Sequence, residues 1–200
     1  MQIYITDVQK LQEKDLFERA FSLVAKARQE KIKSFYFPKD QALSLGAGLL
    51  LRYGLTKAGV KYDDLKISYT PYNKPILEYK PNLYFNLSHS GSKVLLGIND
   101  KPIGVDVEEI QPIEENLTKL VFTVKEQAYY NILNPVDRLN YFYKIWTLKE
   151  AYLKAIGKGL AVPMEELYLN PESPDYILYS HCSSKYYYAV AVFNKQVSLE

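Results

Sequence analysis

The sequence predicts an α+β chain, because helical and strand-like signals are both present along its length. A long helical pattern runs from near Asp137 to Ile156 and stops at Gly157-Lys158-Gly159. A second helical stretch, from about Asp40 to Ala58, follows Pro38. Short runs of strand character fill much of the remainder. The segment Phe37-Pro38-Lys39-Asp40-Gln41-Ala42 faintly echoes Phe122-Thr123-Val124-Lys125-Glu126-Gln127-Ala128, offset by one residue, which is weak support for two similar lobes.

Composition sets the frame. The 200 residues are 48% hydrophobic and 24% charged, enough for a sizeable core in one domain or two small lobes. A formal net charge of +2 is too small to suggest nucleic-acid binding or a polybasic membrane surface. The 19 tyrosines suit strand and half-buried positions. A single cysteine, Cys182, excludes an internal disulfide framework and fits a reducing compartment. There is no basic region followed by an apolar run at the N-terminus, and no stretch nears the ~20 apolar residues of a membrane span. The expectation is a cytoplasmic, soluble protein.

Taken in order, Gln2 to Val8 alternates as a strand, and Lys14 to Lys26 suits an amphipathic helix. Arg28, Lys31 and Lys33 form a small basic cluster, read either as a solvated helix face or as a phosphate contact. The helix over 40–58 points Leu43, Leu50, Leu51 and Leu55 inward. Gly46 and Gly48 interrupt it and allow close packing or a backbone approach to a ligand. A strand at 67–70 meets the turn Pro71-Tyr72-Asn73, followed by Lys74-Pro75, where a lysine is ordinarily exposed. Strands at 82–87 and 94–99 are joined by Ser88-His89-Ser90-Gly91-Ser92. Lys101-Pro102 marks a boundary between lobes 1–101 and 102–200. A strand covers 103–110, and Thr123 with Glu126 has capping-box spacing, so Glu126 reads as structural. After the long helix come strands at 167–169, 176–180 and 186–193, with Pro171 and Pro174 in the turn between the first two. The terminal Leu199-Glu200 reads as an appended tail.

Two places carry chemistry. Period-2 alternation puts Asp106 and Glu108 on one face of their strand, with Val105 and Val107 toward a core. Two adjacent carboxylates are solvated, share a proton, or are neutralised by a cation. Oxygen-only donors, with no Cys/His cluster, favour a hard cation. In Trp146-Thr147-Leu148-Lys149-Glu150-Ala151-Tyr152-Leu153-Lys154, Glu150 and Lys154 lie four apart. They border the stripe of Phe142, Ile145, Trp146, Leu153 and Ile156. There they can bind a cation, move a proton, or simply pair. No Walker-type loop or dinucleotide fingerprint occurs.

Three motifs fall in one order: Phe85-Asn86-Leu87-Ser88-His89-Ser90, Ile103-Gly104-Val105-Asp106-Val107-Glu108, and Trp146 to Lys154 continuing to Gly157-Lys158-Gly159-Leu160. With Asn73-Lys74-Pro75, they make the chain resemble the larger, monomeric, Sfp-like 4′-phosphopantetheinyl transferases across roughly Arg28 to Leu167. The resemblance implies a pseudo-two-fold pair of lobes, each a small antiparallel sheet packed on a long helix, with coenzyme A in the cleft between them. It implies transfer of the phosphopantetheine arm to a serine of an apo acyl or peptidyl carrier protein, releasing adenosine 3′,5′-bisphosphate. By the same resemblance Asp106, Glu108 and Glu150 hold Mg²⁺ (or Mn²⁺). Glu150 also serves as general base, and Lys154 stabilises the bridging oxygen or protonates the leaving phosphate. Lys74, Ser88 and His89 contact phosphates or nucleotide, and Arg28, Lys31 and Ser44 contact the 3′-phosphate.

The chain departs from the family at Ala42 and Leu43, where arginine or histidine is common. Neither residue can contact phosphate by charge, which loosens any expected preference for coenzyme A over its dephospho form. Two competing readings are a non-catalytic relative that binds carriers or coenzyme A, and a different Mg²⁺-dependent phosphotransferase or pyrophosphate-cleaving enzyme.

Overall fold

The computed structural model describes residues 1–61, 65–80 and 82–195, so Leu199-Glu200 lie outside the described residues. Strand β1 (Gln2–Asp7) leads through a short 3-10 turn to helices α1 (Lys14–Phe21), α2 (Lys26–Lys33) and α3 (Pro38–Lys57). Strands β2 (Ile67–Tyr69) and β3 (Pro75–Leu77) make a small hairpin, followed by β4 (Tyr84–Ser90), β5 (Lys93–Asn99) and β6 (Ile103–Glu109). Helices α4 (Thr118–Val121), α5 (Val124–Ile132) and α6 (Pro135–Ile156) precede β7 (Tyr176–Cys182) and β8 (Tyr186–Phe193). The hydrogen-bonded order is β1-β5-β4 in one antiparallel sheet and β6-β8-β7 in another.

The two sheets share one plan: three antiparallel strands on one long helix. Val94, Leu96 and Ile98 on β5 pack with Leu43, Leu50, Leu51 and Leu55 of α3. Ala189, Ala191 and Phe193 on β8 pack with Ala151 and Ala155 of α6. Between the sheets, Leu95 meets Ile103, Val105, Val107, Val190 and Val192. Side-chain period 2 thus sorts β6 into an apolar face against the first sheet and a face of Gly104, Asp106 and Glu108 turned to α6. Gly104 is where helix and strand come closest: a Cβ there would run into the backbone carbonyl of Ala151.

Helix ends follow their caps. Thr123 and Glu126 close a capping box on α5, as the spacing predicts. Asn134 caps α6 through Val136 and Asp137, Pro135 occupies its first turn, and Gly157 ends it at φ 73° in the left-handed region. Among the described residues no helix is long and apolar enough to cross a membrane.

Three expectations are corrected. The helix expected over 14–26 stops at Phe21 and the chain restarts as α2. Val24 turns into a core with Ala20, Ile32 and Leu45, and the Gln29 side chain donates to the carbonyls of Phe21 (3.2 Å) and Val24 (3.0 Å), closing the first helix. Strand β4 continues through Ser90, so Ser88 and His89 lie in the strand, not in a joint. Residues 167–169 pair with no described strand; Leu167 packs instead among Phe122, Phe142 and Met164. Gly46 and Gly48 serve close packing, since a Cβ would strike Val8 at the first and meet Val24 and Arg28 at the second.

One buried charge went unremarked in the sequence. Lys149 has no exposed side-chain surface, and its ammonium donates to Glu126 Oε2 (2.6 Å) and to the carbonyls of Val121 (2.7 Å) and Met164 (2.9 Å). Burial pulls its pKa down, and Glu126 opposes that pull. Glu126 also accepts from the Thr123 backbone and hydroxyl, so a single carboxylate joins α5 to α6.

Two stability predictions follow from this packing. Gly104→Ala should lose ~3 kcal/mol or more, read from the denaturant midpoint, because the obstructing atom is backbone. Lys149→Met should lose ~3–5 kcal/mol by stranding a buried carboxylate, and adding Glu126→Gln should recover part of it. A midpoint unchanged by Lys149→Met would show that the ammonium is not holding the two helices together.

Candidate active site

The polar face of β6 meets the polar face of β4. Asn86, Ser88 and Ser90 alternate along β4 and all point toward β6. Asn86 Oδ1 accepts from the Val105 N–H (2.8 Å), and Ser90 Oγ accepts from the Glu109 N–H (3.1 Å) while donating to Glu108 Oε2 (2.8 Å). Ser88 Oγ donates to Asp106 Oδ1 at 2.8 Å. Side chains therefore do between β4 and β6 what backbone ladders do within each sheet. The sequence offered a signal for Asn86 and Ser90 in their period-2 spacing with Ser88, hidden by taking the serines for a loop.

Helix α6 completes the site. Lys154 Nζ lies 2.6 Å from Asp106 Oδ1, 3.1 Å from Ser88 Oγ and 3.9 Å from Glu150 Oε2. Asp106 and Glu150, 44 positions apart in sequence, thus come within reach of one ammonium. Glu108 is pushed up to about 7, first by burial and then by the Asp106 charge. Burial also raises Glu150, offset by Lys154.

Among the described residues, no three His, Cys, Asp or Glu side chains stand together in metal-holding geometry, and Lys154 takes one of the Asp106 oxygens. The residues nonetheless fit a hard divalent cation. Asp106 is 1% exposed, and its Oδ2 is buried without any hydrogen-bond partner. An orphaned carboxylate oxygen beside a second strand carboxylate and a helix carboxylate is an all-oxygen donor set.

On the opposite face of β4, a cavity of about 300 Å³ opens between α2, α3 and the β2–β3 turn. Arg28 and Lys31 supply its cations and Asp40 a carboxylate, His89 and Asn73 line it, and Ser44 Oγ faces no partner while 94% buried. Leu43 lines the α3 side of the wall. Lys33 stands apart, paired with Glu30 at 2.9 Å on the surface. His89 is exposed at the mouth, yet the protein around it and the Lys154 and Lys31 charges lower its pKa. Consecutive residues of β4 therefore serve the two features: Ser88 faces the acidic cluster and His89 lines the cavity. Lys74, expected as a phosphate contact, directs its ammonium to the carbonyls of Ala155 (2.6 Å) and Ile103 (3.4 Å).

Comparison with known proteins identifies the family. Residues 102–193 match the 4′-phosphopantetheinyl transferase superfamily, and residues 12–100 match the N-terminal region of 4′-phosphopantetheinyl transferases. The chain is 31% identical over 149 residues to the 4′-phosphopantetheinyl transferase Sfp of Bacillus subtilis (strain 168), covering 74% of this chain and 66% of that protein. It is 31% identical over 167 residues to the 4′-phosphopantetheinyl transferase psf-1 of Bacillus pumilus, covering 80% and 71% respectively. It is 36% identical over 148 residues to the 4′-phosphopantetheinyl transferase HetI of Nostoc sp. (strain PCC 7120 / SAG 25.82 / UTEX 2576), covering 70% and 62%. The chain thus spans just under two thirds of the Bacillus subtilis protein's length. A site built jointly by two similar sheet-and-helix lobes and two adjoining family matches together show that this chain belongs to the Sfp-like 4′-phosphopantetheinyl transferases.

Proposed function

We propose that this protein transfers the 4′-phosphopantetheine arm of coenzyme A to a serine of an apo acyl or peptidyl carrier protein, releasing adenosine 3′,5′-bisphosphate. The lobes are residues 1–101 and 102–200, acting within one monomer. The observation that carries the reading is that adjacent residues of one strand, Ser88 and His89, border the Asp106–Lys154–Glu150 cluster and the cavity of Arg28 and Lys31 respectively. Such a layout suits a nucleotide whose pyrophosphate must reach a cleaving group.

Bound by Asp106, Glu108 and Glu150, Mg²⁺ would neutralise charge on the pyrophosphate. The rest falls to side chains. Arg28, Lys31 and Ser44 receive the adenosine end, with Ser44 Oγ free to hydrogen-bond it. Ser88 and His89 border the pyrophosphate. The serine hydroxyl of the carrier attacks the phosphorus on the pantetheine side, Glu150 takes its proton, and the bond to the bridging oxygen breaks. Lys154 donates a hydrogen bond to the departing phosphate, which leaves as adenosine 3′,5′-bisphosphate. Catalysis of this kind is positioning and charge neutralisation rather than covalent chemistry.

The direct test incubates the protein with coenzyme A, Mg²⁺ and a panel of fatty-acid, polyketide and peptide-synthetase carriers in their apo forms. Mass spectrometry should show one phosphopantetheine arm added to a carrier serine, absent without Mg²⁺. Pyrophosphate cleavage without a carrier would instead mark a hydrolase. Asp106→Asn should lower transfer ~100-fold or more. Its denaturation midpoint should fall as well, because the pair with Lys154 is lost. Lost stability with retained transfer would remove Asp106 from the site.

Glu108 gives a pH prediction. Its pKa in the folded protein, about 7, lies above its ordinary 4.5, so folding favours the protonated form. Without metal, stability should therefore fall as pH rises from 4.5 through 7, and Glu108→Gln should flatten that slope. Mg²⁺ should stabilise the protein more at the alkaline end, where Glu108 is ionised. Thermal melts across this range, with and without Mg²⁺, measure both effects.

A further inference from the structure

The turn before β3 is built stiffly. Asn73 adopts φ 60°, Thr70 Oγ1 accepts from the Lys74 N–H (3.1 Å), and the Thr70 N–H donates to the Lys74 carbonyl (2.9 Å). These bonds fix the direction in which the Lys74 side chain leaves. Its ammonium ends on the other lobe, 81 residues away in sequence, against the Ala155 carbonyl at 2.6 Å. Ala155 lies in the last turn of α6, where carbonyls lack donors from their own helix and the negative end of the dipole gathers. The second acceptor, Ile103, opens β6. Lys74 thus caps α6 from outside and joins it to the first residue of the strand that carries Asp106. The amine's surroundings have replaced most of its water, which lowers its pKa to about 8.

The two ends of this tie are functional neighbours. Asn73 and Pro75 line the cation-bearing cavity, and Ala155 directly follows Lys154. We infer that Lys74 is a positioning residue that holds the cavity wall of Asn73 and Pro75 at a fixed distance from the turn of α6 that projects Lys154. This role differs from a phosphate contact, because the ammonium is committed to backbone carbonyls. Its consequence for turnover rests on the transferase reading; its consequence for the backbone does not.

The test uses the full chain with Lys74→Met, which keeps the stem and removes the donors, and Lys74→Arg, which keeps a cation. Amide hydrogen exchange without ligand should quicken about tenfold in 67–77 and 154–157 for Lys74→Met, with α3 unchanged and partial rescue by Lys74→Arg. In transfer assays Lys74→Met should lower kcat as well as raise KM for coenzyme A, since Lys154 is displaced as well as the wall. Exchange unchanged in both segments, with only KM raised, would overturn the inference and make Lys74 a phosphate contact. Faster exchange throughout α3 would also overturn it, making the residue a general stabiliser. Should no carrier be modified by the unsubstituted protein, the transferase reading fails while the exchange result still decides the tie.

Discussion

One buried ion pair, Lys154 with Asp106, is the joint on which the rest depends. It brings together β6, which supplies the carboxylate, α6, which supplies the ammonium, and β4, whose Ser88 hydroxyl touches both. Asp106 is almost wholly buried, and an uncompensated carboxylate there would be prohibitively unfavourable. The approach of α6 to β6 at Gly104 and the hydrogen-bonded seam between β4 and β6 therefore have a common purpose. They bring three elements close enough that one charge is matched and one oxygen is left over. That remaining oxygen is what a structural ion pair would not need.

The same geometry explains why the second strand carboxylate behaves differently. Glu108 sits two residues along the same face, beyond the first reach of Lys154, and has only the Ser90 hydroxyl as a direct partner. Burial first, and then the Asp106 charge, hold its proton, with the Ser90 hydroxyl and the more distant Lys154 only partly opposing them. Helix α6 resolves a parallel problem on its other side. Lys149 and Glu150 are adjacent and so point roughly 100° apart. The first is locked to Glu126 and two carbonyls, and the second is left at the cleft. A rigid anchor on one flank of the helix gives precision to the groups on the next.

Much of this was legible in the sequence, and the rest was hidden for definable reasons. Local periodicity sufficed for α3, α6 and β6, and for the shared face of Asp106 and Glu108, because each pattern is written within a few residues. Capping at Thr123 and Glu126 was equally local. Lys149 and Lys74 were not legible as tethers: a lysine defaults to the surface, and their partners lie tens of residues away. Ser88-His89-Ser90 looked like a loop because a strand with one face hydrogen-bonded to a neighbouring sheet is as polar as a turn. The supposed strand at 167–169 has strand-like residues, but Leu167 is drawn into the core with Phe122, Phe142 and Met164, and no local pattern reveals that packing.

The break between α1 and α2 is the most instructive of these differences. Val24 and Ile32 both sink into one core with Leu45, which lays α2 against α3. At the crossing, Gly48 of α3 leaves room that a Cβ would remove, 3.0 Å from Arg28 Cγ. The aliphatic stem of Arg28 lies over that glycine, and its guanidinium reaches the cavity from there, with Lys31 about one turn further along. With Leu43 apolar, α3 contributes no cation of its own to that wall, so the cavity's positive charge comes from α2. The packing of two aliphatic side chains and one glycine thereby decides where an anionic ligand can be held.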